Sequence, residues 1–378
     1  MRGRDPAALV ASIFHASLAS IDLAARVERV LRGLEPRLPR RVRLLAVGKC
    51  APRMAAGALR VLEPVEPALV VTSRGVPASV PVMRAGHPLP DGASLEAGRR
   101  ALALARRSAE GTALVVLVSG GASAMLCAPI AGVSLAIKRR VTDALLRDGV
   151  PIAEINDVRA LLSDVKGGKL ARAVAGARVV TLVASDILGR GDLTRVGSGP
   201  TLGRFAPSRE AHRVAGPGDL LGAALAAAKR TGLPVRRLPF ADGPVEELAE
   251  RYAAIESPGL HVAVGEPTVR VGRAGGRGGR SGHLALLVAR KIHGRRVCFL
   301  AAGSDGIDGS SSAAGATVDG GTWRRAEAGG LSPARALREF DSARVHRSLR
   351  TDIFTGATGL NLLDLHLTLV DRGDETGV

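Results

Sequence analysis

The stretch at 114–128 reads LVVLVSGGASAMLCA, and it limits the chain's fold more than any other. Its first five residues are all Leu or Val. The run is too short for a free-standing helix and has no polar alternation, so it reads as a strand buried on both faces. A turn of small residues follows, Ser119-Gly120-Gly121-Ala122-Ser123, and then good helix formers at 124–126. A strand that passes through glycines into a helix aims free backbone N–H groups at an anion beyond the strand end. Gly120 and Gly121 permit positive φ and close approach, while Ser119 and Ser123 add hydroxyls. A plain packing turn has the same pattern, so the rest of the chain has to decide.

The surrounding pattern repeats this unit. Residues 41–47, 67–72 and 179–184 are further apolar strands, separated by helical periods at 52–62, 95–108, 135–148 and 154–162. Strands alternating with helices predict an α/β protein with a doubly wound parallel sheet, whose ligands sit outside the carboxyl ends of the strands. Lys49, the 119–123 turn and Asp186 each follow a strand end in this reading, so they can converge. Beyond residue 230 the pattern changes to short strands at 261–264, 268–271, 297–300 and 361–370, with a helix at 281–292 and glycine-rich gaps. Pro234, Pro239 and Pro244 crowd one stretch. A boundary is expected there, giving domains 1–238 and 239–378, the second smaller and with a mixed sheet.

Charge narrows the partner. The net charge is +18, but the basic residues are scattered and aromatics are only 2%, which leaves little for base stacking. A small anionic substrate is expected, with no specific nucleic acid. Only six of the 53 basic residues are Lys, and Lys49, Lys166 and Lys169 lie in glycine-bearing turns. Lysine retained in an arginine-rich chain suits places where a compact ammonium matters, although six residues also allow chance. Cys50, Cys127 and Cys298 are too few and too separated for a disulfide framework. The N-terminus reads as an amphipathic helix rather than a signal peptide, and no clean membrane span is expected, so the cytoplasm is the expected setting.

Several residues carry candidate chemistry, each beside a plainer role. Asn156 and Arg159 are three apart and share a helix face ahead of the Lys166-Gly167-Gly168-Lys169 turn. A solvated basic loop reads the same. Arg280 opens a helix after a glycine-arginine run, where it suits phosphate oxygens or a solvated loop. Asp305 and Asp308, in GSDGIDGSS, suit a hard cation or an Asx turn. Asp186 suits a metal, a general base or a helix cap. His87, in GHPLPD, suits a general base or a turn bonded to backbone.

Nine motifs in order complete the sequence picture: VGKCAPRM, AGHPLPDGAS, VSGGASAML, IAEINDVRALLSDVKGGKLA, ASDI…GSGPT, GEPTVRV, GGRGGR, GSDGIDGSSSAAGA and TGATGLNLLD. Together, from about residue 8 to 371, they resemble the glycerate 2-kinase family with its MOFRL-type C-terminal domain. The resemblance implies a Rossmann-like N-terminal domain and phosphorylation of D-glycerate to 2-phosphoglycerate in an interdomain cleft, with ATP and Mg²⁺. It implies that Lys49 and Arg280 lie nearest the chemistry, and that Asp186, Asp305 and Asp308 are metal ligands. Binding of substrate or ATP falls on Ser119, Gly120, Gly121, Ser123, Asn156, Arg159, Lys166, Ser198, Glu266 and Asn361, and a homodimer is compatible. The chain departs from the family pattern at three places. GGRSGH stands for GGRNQE, one Asp remains of a GDD run after the SDI motif, and Leu360 and Leu363 replace polar residues. A kinase for another small hydroxy acid and a catalytically silent binding paralog are the alternatives those departures raise.

Overall fold

The computed structural model describes residues 5–148, 152–188, 192–207, 210–271 and 275–371. Six strands form the first sheet: β1 (Arg41–Val47), β2 (Leu69–Ser73), β3 (Met83–Ala85), β4 (Thr112–Ser119), β5 (Arg178–Ala184) and β6 (Ala211–Ala215). All pairings are parallel, in the order β3-β2-β1-β4-β5-β6. All eight residues of β4 are buried, which is why that run carries no alternation: helices cover both faces of a parallel sheet. The chain winds outward from β1 to β3, then returns to the other side of β1 as β4. Strand order therefore reverses between β1 and β4, where such sheets open a crevice at their carboxyl ends.

The second sheet is mixed. It contains β7 (Val235–Arg237), β8 (Ala241–Pro244), β9 (Gly259–Thr268), β10 (Val297–Gly303), β11 (Gly315–Asp319), β12 (Asp352–Ile353) and β13 (Asp364–Val370). The order is β12-β11-β10-β13-β9-β7, with β8 also on β9. Only β7 and β8 run parallel to their neighbour. The helices Val245–Ala253 and Arg280–Lys291 pack on it over Tyr252, Leu284, Val288 and Phe299. The expected strand at 261–264 lies within β9, which runs on to Thr268, and the one expected at 268–271 does not form: residues 269–271 are outside any strand.

The chain divides at 216/217 rather than at 238/239. Asp22–Gly216 form one compact unit, while the helix Pro6–Ala19 joins the described residues from Pro217 on to form the other. The proline-rich stretch is no linker. The Pro234 carbonyl accepts from Leu260 N–H at 2.8 Å, and Pro244 ends an edge strand, a position that tolerates a missing donor. The segment Pro6–Arg37 passes as a membrane span by length and a mean hydropathy of 1.6. In the fold it is two helices, Pro6–Ala19 and Leu23–Leu34, capped by Asp5 and Asp22, and Val10, Phe14, Val27 and Leu31 are buried.

Candidate active site

In the Asp22–Gly216 unit the three strand ends named above lie side by side. Lys49 follows β1, the 119–123 turn follows β4 and Asp186 follows β5, all on neighbouring strands. Gly48 has φ 121°, and a Cβ there would lie 2.2 Å from Ser119 Oγ, so only glycine lets the two turns meet. The Lys49 N–H donates to the Gly120 carbonyl at 2.9 Å, and the Cys50 N–H to Ser119 Oγ at 3.0 Å. Ser119 is fully buried. Its hydroxyl therefore welds two turns together, which corrects its reading as a ligand group. Gly121, at φ 85°, opens a helix of only four residues, Ala122–Met125. That helix stops early because the Cys127 N–H turns away to the Ser94 carbonyl. It is too short to build up much of a helix dipole, so side chains must supply the charge. Burial pushes the Cys50 thiol up to about 12, so it is no nucleophile.

Side-chain charge gathers around Ser123. Lys166 is 2% exposed, and its ammonium donates to the Ser123 carbonyl at 2.7 Å and to Ser123 Oγ at 2.5 Å. Arg159 donates to Ser123 Oγ at 3.1 Å and to Asn156 Oδ1 at 3.2 Å. Ser198 Oγ lies 2.9 Å from Ser123 Oγ and 3.4 Å from Lys166 Nζ. Ser198 is held at φ 61° between Gly197 and Gly199, which also have positive φ. The turn at 166–168 is bolted to this one: the Gly167 N–H donates to the Ser198 carbonyl and the Gly168 N–H to the Gly199 carbonyl. Among the described residues no carboxylate pairs with Lys166 or Arg159. Burial, and then the Arg159 and Lys138 charges, hold the Lys166 ammonium well below its ordinary range. Asn156 and Ser198 also line a cavity of about 390 Å³.

In the other unit the registers of β9, β13 and β10 set Gly265, Asp364 and Gly303 in one row. Arg280 lies beside it, a third exposed and held by two carboxylates. It donates to Asp364 at 2.7 and 3.1 Å and to Glu266 at 2.8 Å. Asp308 is buried and accepts from the N–H groups of Ser281 at 3.0 Å and Gly282 at 2.8 Å. It caps the helix Arg280–Lys291, which takes it out of the expected metal-ligand set. Burial still raises its carboxyl to about 7. Ser281 Oγ donates to Asp364 at 3.2 Å, so the GGRSGH departure has its own bonding scheme. Thr358 and Leu362 tie the Asn361 loop to Ser304 and Asp305. Asp305 accepts from the Ile307 N–H at 3.1 Å. Residues 189–191 of the altered SDI segment, and 272–274 of the glycine-arginine run, lie outside the described residues.

Two participants escaped the sequence reading. Asp364 is the main partner of Arg280, 84 residues away. Lys138, on the helix Leu135–Arg147, is 5% exposed and belongs electrostatically with Lys166 and Arg159.

A parallel sheet in this order, with glycine turns and cations at its strand ends, is the build of an α/β enzyme for a small anionic substrate. Residues 9–221 match a family model described as a domain of unknown function (DUF4147), and residues 259–364 match the MOFRL family. A glycerate 2-kinase of Pyrococcus horikoshii is 30% identical across 90% of each chain. A protein of Agrobacterium vitis, provisionally named a hydroxypyruvate reductase, is 32% identical across 95% of this chain and 93% of its own. The crystal structure of a glycerate kinase from Thermotoga maritima superposes with a TM-score of 0.82 at 31% identity, covering 97% of this chain and 99% of that one. The chain belongs to the glycerate 2-kinase family, phosphotransferases with an alcohol group as acceptor.

Proposed function

We propose that the protein transfers the γ-phosphoryl group of ATP to the 2-hydroxyl of D-glycerate, giving 2-phosphoglycerate and ADP. The observation that carries this reading is the pair of cations on Ser123, buried Lys166 and half-buried Arg159, without a carboxylate partner among the described residues. Phosphoryl transfer asks a protein for positioning and charge neutralisation rather than covalent chemistry. Lys166, Arg159, Ser123 and Ser198 suit the substrate's anionic group. Lys49, at the β1 end, and Arg280 are assigned to the transferring phosphoryl oxygens, and Gly120, Gly121, Asn156, Glu266 and Asn361 to binding.

The residues present are compatible with Mg²⁺ in its usual form, one or two carboxylates plus substrate phosphates. Among the described residues no three His, Cys, Asp or Glu side chains gather as a metal cage. Asp186, half-buried after β5, and Asp305 remain the carboxylates for it. Bound there, Mg²⁺ would neutralise phosphate charge. Three buried free cysteines support a reducing setting, and we take it to be the cytoplasm.

Reduction of hydroxypyruvate is the competing reading from the Agrobacterium relative's name. It requires a dinucleotide, and the turn after β1 reads Gly48-Lys49-Cys50-Ala51, not GxGxxG. The test is ADP release with Mg-ATP over glycerate, hydroxypyruvate and tartronate, run beside NADH oxidation with hydroxypyruvate. Glycerate-dependent ADP release is expected. Ligand-induced thermal stabilisation without turnover would make this a binding protein instead, and NADH oxidation alone would make it a reductase.

A further inference from the structure

We propose that Lys138 completes, with Arg159, Lys166 and the hydroxyls of Ser123 and Ser198, a buried receptor for a single oxyanion group, a carboxylate or a phosphate. The proposal rests on the function above only in taking D-glycerate as the natural carboxylate. Lys138 Nζ is buried and has no hydrogen-bond partner, which is rare for an ammonium. Leaving such a group unpaired in the interior is costly. Its charged surroundings raise the cost, because Arg159 and Lys169 repel it. Lys166 feels the same repulsion from Arg159 and Lys138. Among the described residues the carboxylate that acts on Lys138 is Asp164, which is exposed.

The partners already in place are neutral. Ser123 Oγ receives Lys166, Arg159 and Ser198, more donors than one hydroxyl can satisfy. Three donors aimed at one oxygen, two of them cationic, with Lys138 as a third cation that is buried and unpaired, mark where oxyanion density belongs. One carboxylate or phosphate there would satisfy Lys138, relieve the mutual repulsion and share the donors that now crowd Ser123. Asn156 and Ser198, which bond Arg159 and Ser123, edge a cavity of about 390 Å³.

The test uses the full chain and compares wild type with Lys138→Met, which keeps the apolar stem. Melting temperature without ligand is read first, then calorimetric affinity for D-glycerate, inorganic phosphate and Mg-free ATP. The variant is expected to melt no lower than wild type, because an uncompensated buried charge has gone. Its affinity for the cognate anion is expected to fall tenfold or more, as for a lost charge-assisted bond. Loss confined to D-glycerate identifies a carboxylate receptor, and loss confined to phosphate and ATP a phosphate receptor. Equal loss for all three identifies a general oxyanion receptor. Unchanged affinities, with or without a lower melting temperature, overturn the proposal, as does wild-type protein that binds none of the three. Lys138-dependent binding without ADP release would leave the receptor standing and sink the kinase reading alone.

Discussion

Lys166 and Arg280 both adjoin a pair of glycines in the sequence, one in each unit, yet they meet opposite surroundings. Lys166 is buried among hydroxyls, a carbonyl and other cations. Arg280, a third exposed, is held by two carboxylates, and its side chain stays firmly charged. A cation with neutral partners is a site waiting for charge from outside. A cation with acidic partners has its charge answered from within, and its first effect is to hold three chain segments together. The comparison separates a cation whose charge is still unanswered from one that also holds its own unit's segments together.

Substitution at Lys166 should have the largest effect. Lys166→Met is expected to lower kcat/KM for glycerate by about 10²–10³-fold, the scale of a lost oxyanion donor. Urea unfolding should find it no less stable than wild type. A variant with full activity would break the comparison at its ligand-facing end. Arg280→Ala is expected to do the reverse to stability and lower it by about 2 kcal/mol, because Asp364 stays buried without its partner. That figure is reduced for the third of the Arg280 side chain that meets water. An unchanged urea midpoint would deny Arg280 its structural part.

Gly48→Ala sharpens the contrast without touching a charge. A Cβ 2.2 Å from Ser119 Oγ, on a backbone at φ 121°, should cost about 2 kcal/mol and loosen the turns that carry Lys49 and Ser123. Circular dichroism melts of the purified variant give the answer. The smallest effect is in pH. The folded Lys166 titrates below its unfolded value of 10.5, so the unfolded chain binds the extra proton between those two values. Stability contributed by this group therefore rises with pH in that window, by at most about 1.4 kcal/mol per unit for one proton. Lys138, Arg159 and Cys127 face it. The slope should flatten in Lys166→Met, and an identical slope in both proteins would remove Lys166 from the receptor's charge balance.

Much of the first sheet was legible because β4 holds an unbroken apolar run and β1 and β5 are mostly apolar towards their carboxyl ends, each ending at a turn. Burial on both faces leaves that mark directly in the chain. The second sheet was less legible. β7, β8 and β12 are two to four residues long and hold their shape only by pairing with a longer neighbour. The site was legible where chemistry and local pattern coincide, as in the 119–123 and 166–169 turns. Lys138 was not, because a lysine ahead of Arg139 and Arg140 on a helix reads as a solvated face. Its burial is decided by the helix's packing. Asp308 was misread for the opposite reason, since acid spacing in a glycine loop looks the same whether it meets a cation or a helix start.

The departure from the expected boundary also bears on how the protein comes into being. The helix Pro6–Ala19 packs against Pro217–Lys229 and β10, so the unit that includes the first helix contains the last strand as well. Residues 22–216 are contiguous and have all their sheet partners once they leave the ribosome. The other unit has to hold its first helix in reserve through nearly two hundred residues of synthesis, and its central strand β13 arrives last. A fragment cut at 238/239 strands that helix, Pro217–Lys229 and β7 on the wrong piece. Biogenesis should accordingly run inside out: the nested unit matures early, and the unit that encloses it in sequence closes only once β13 has been made.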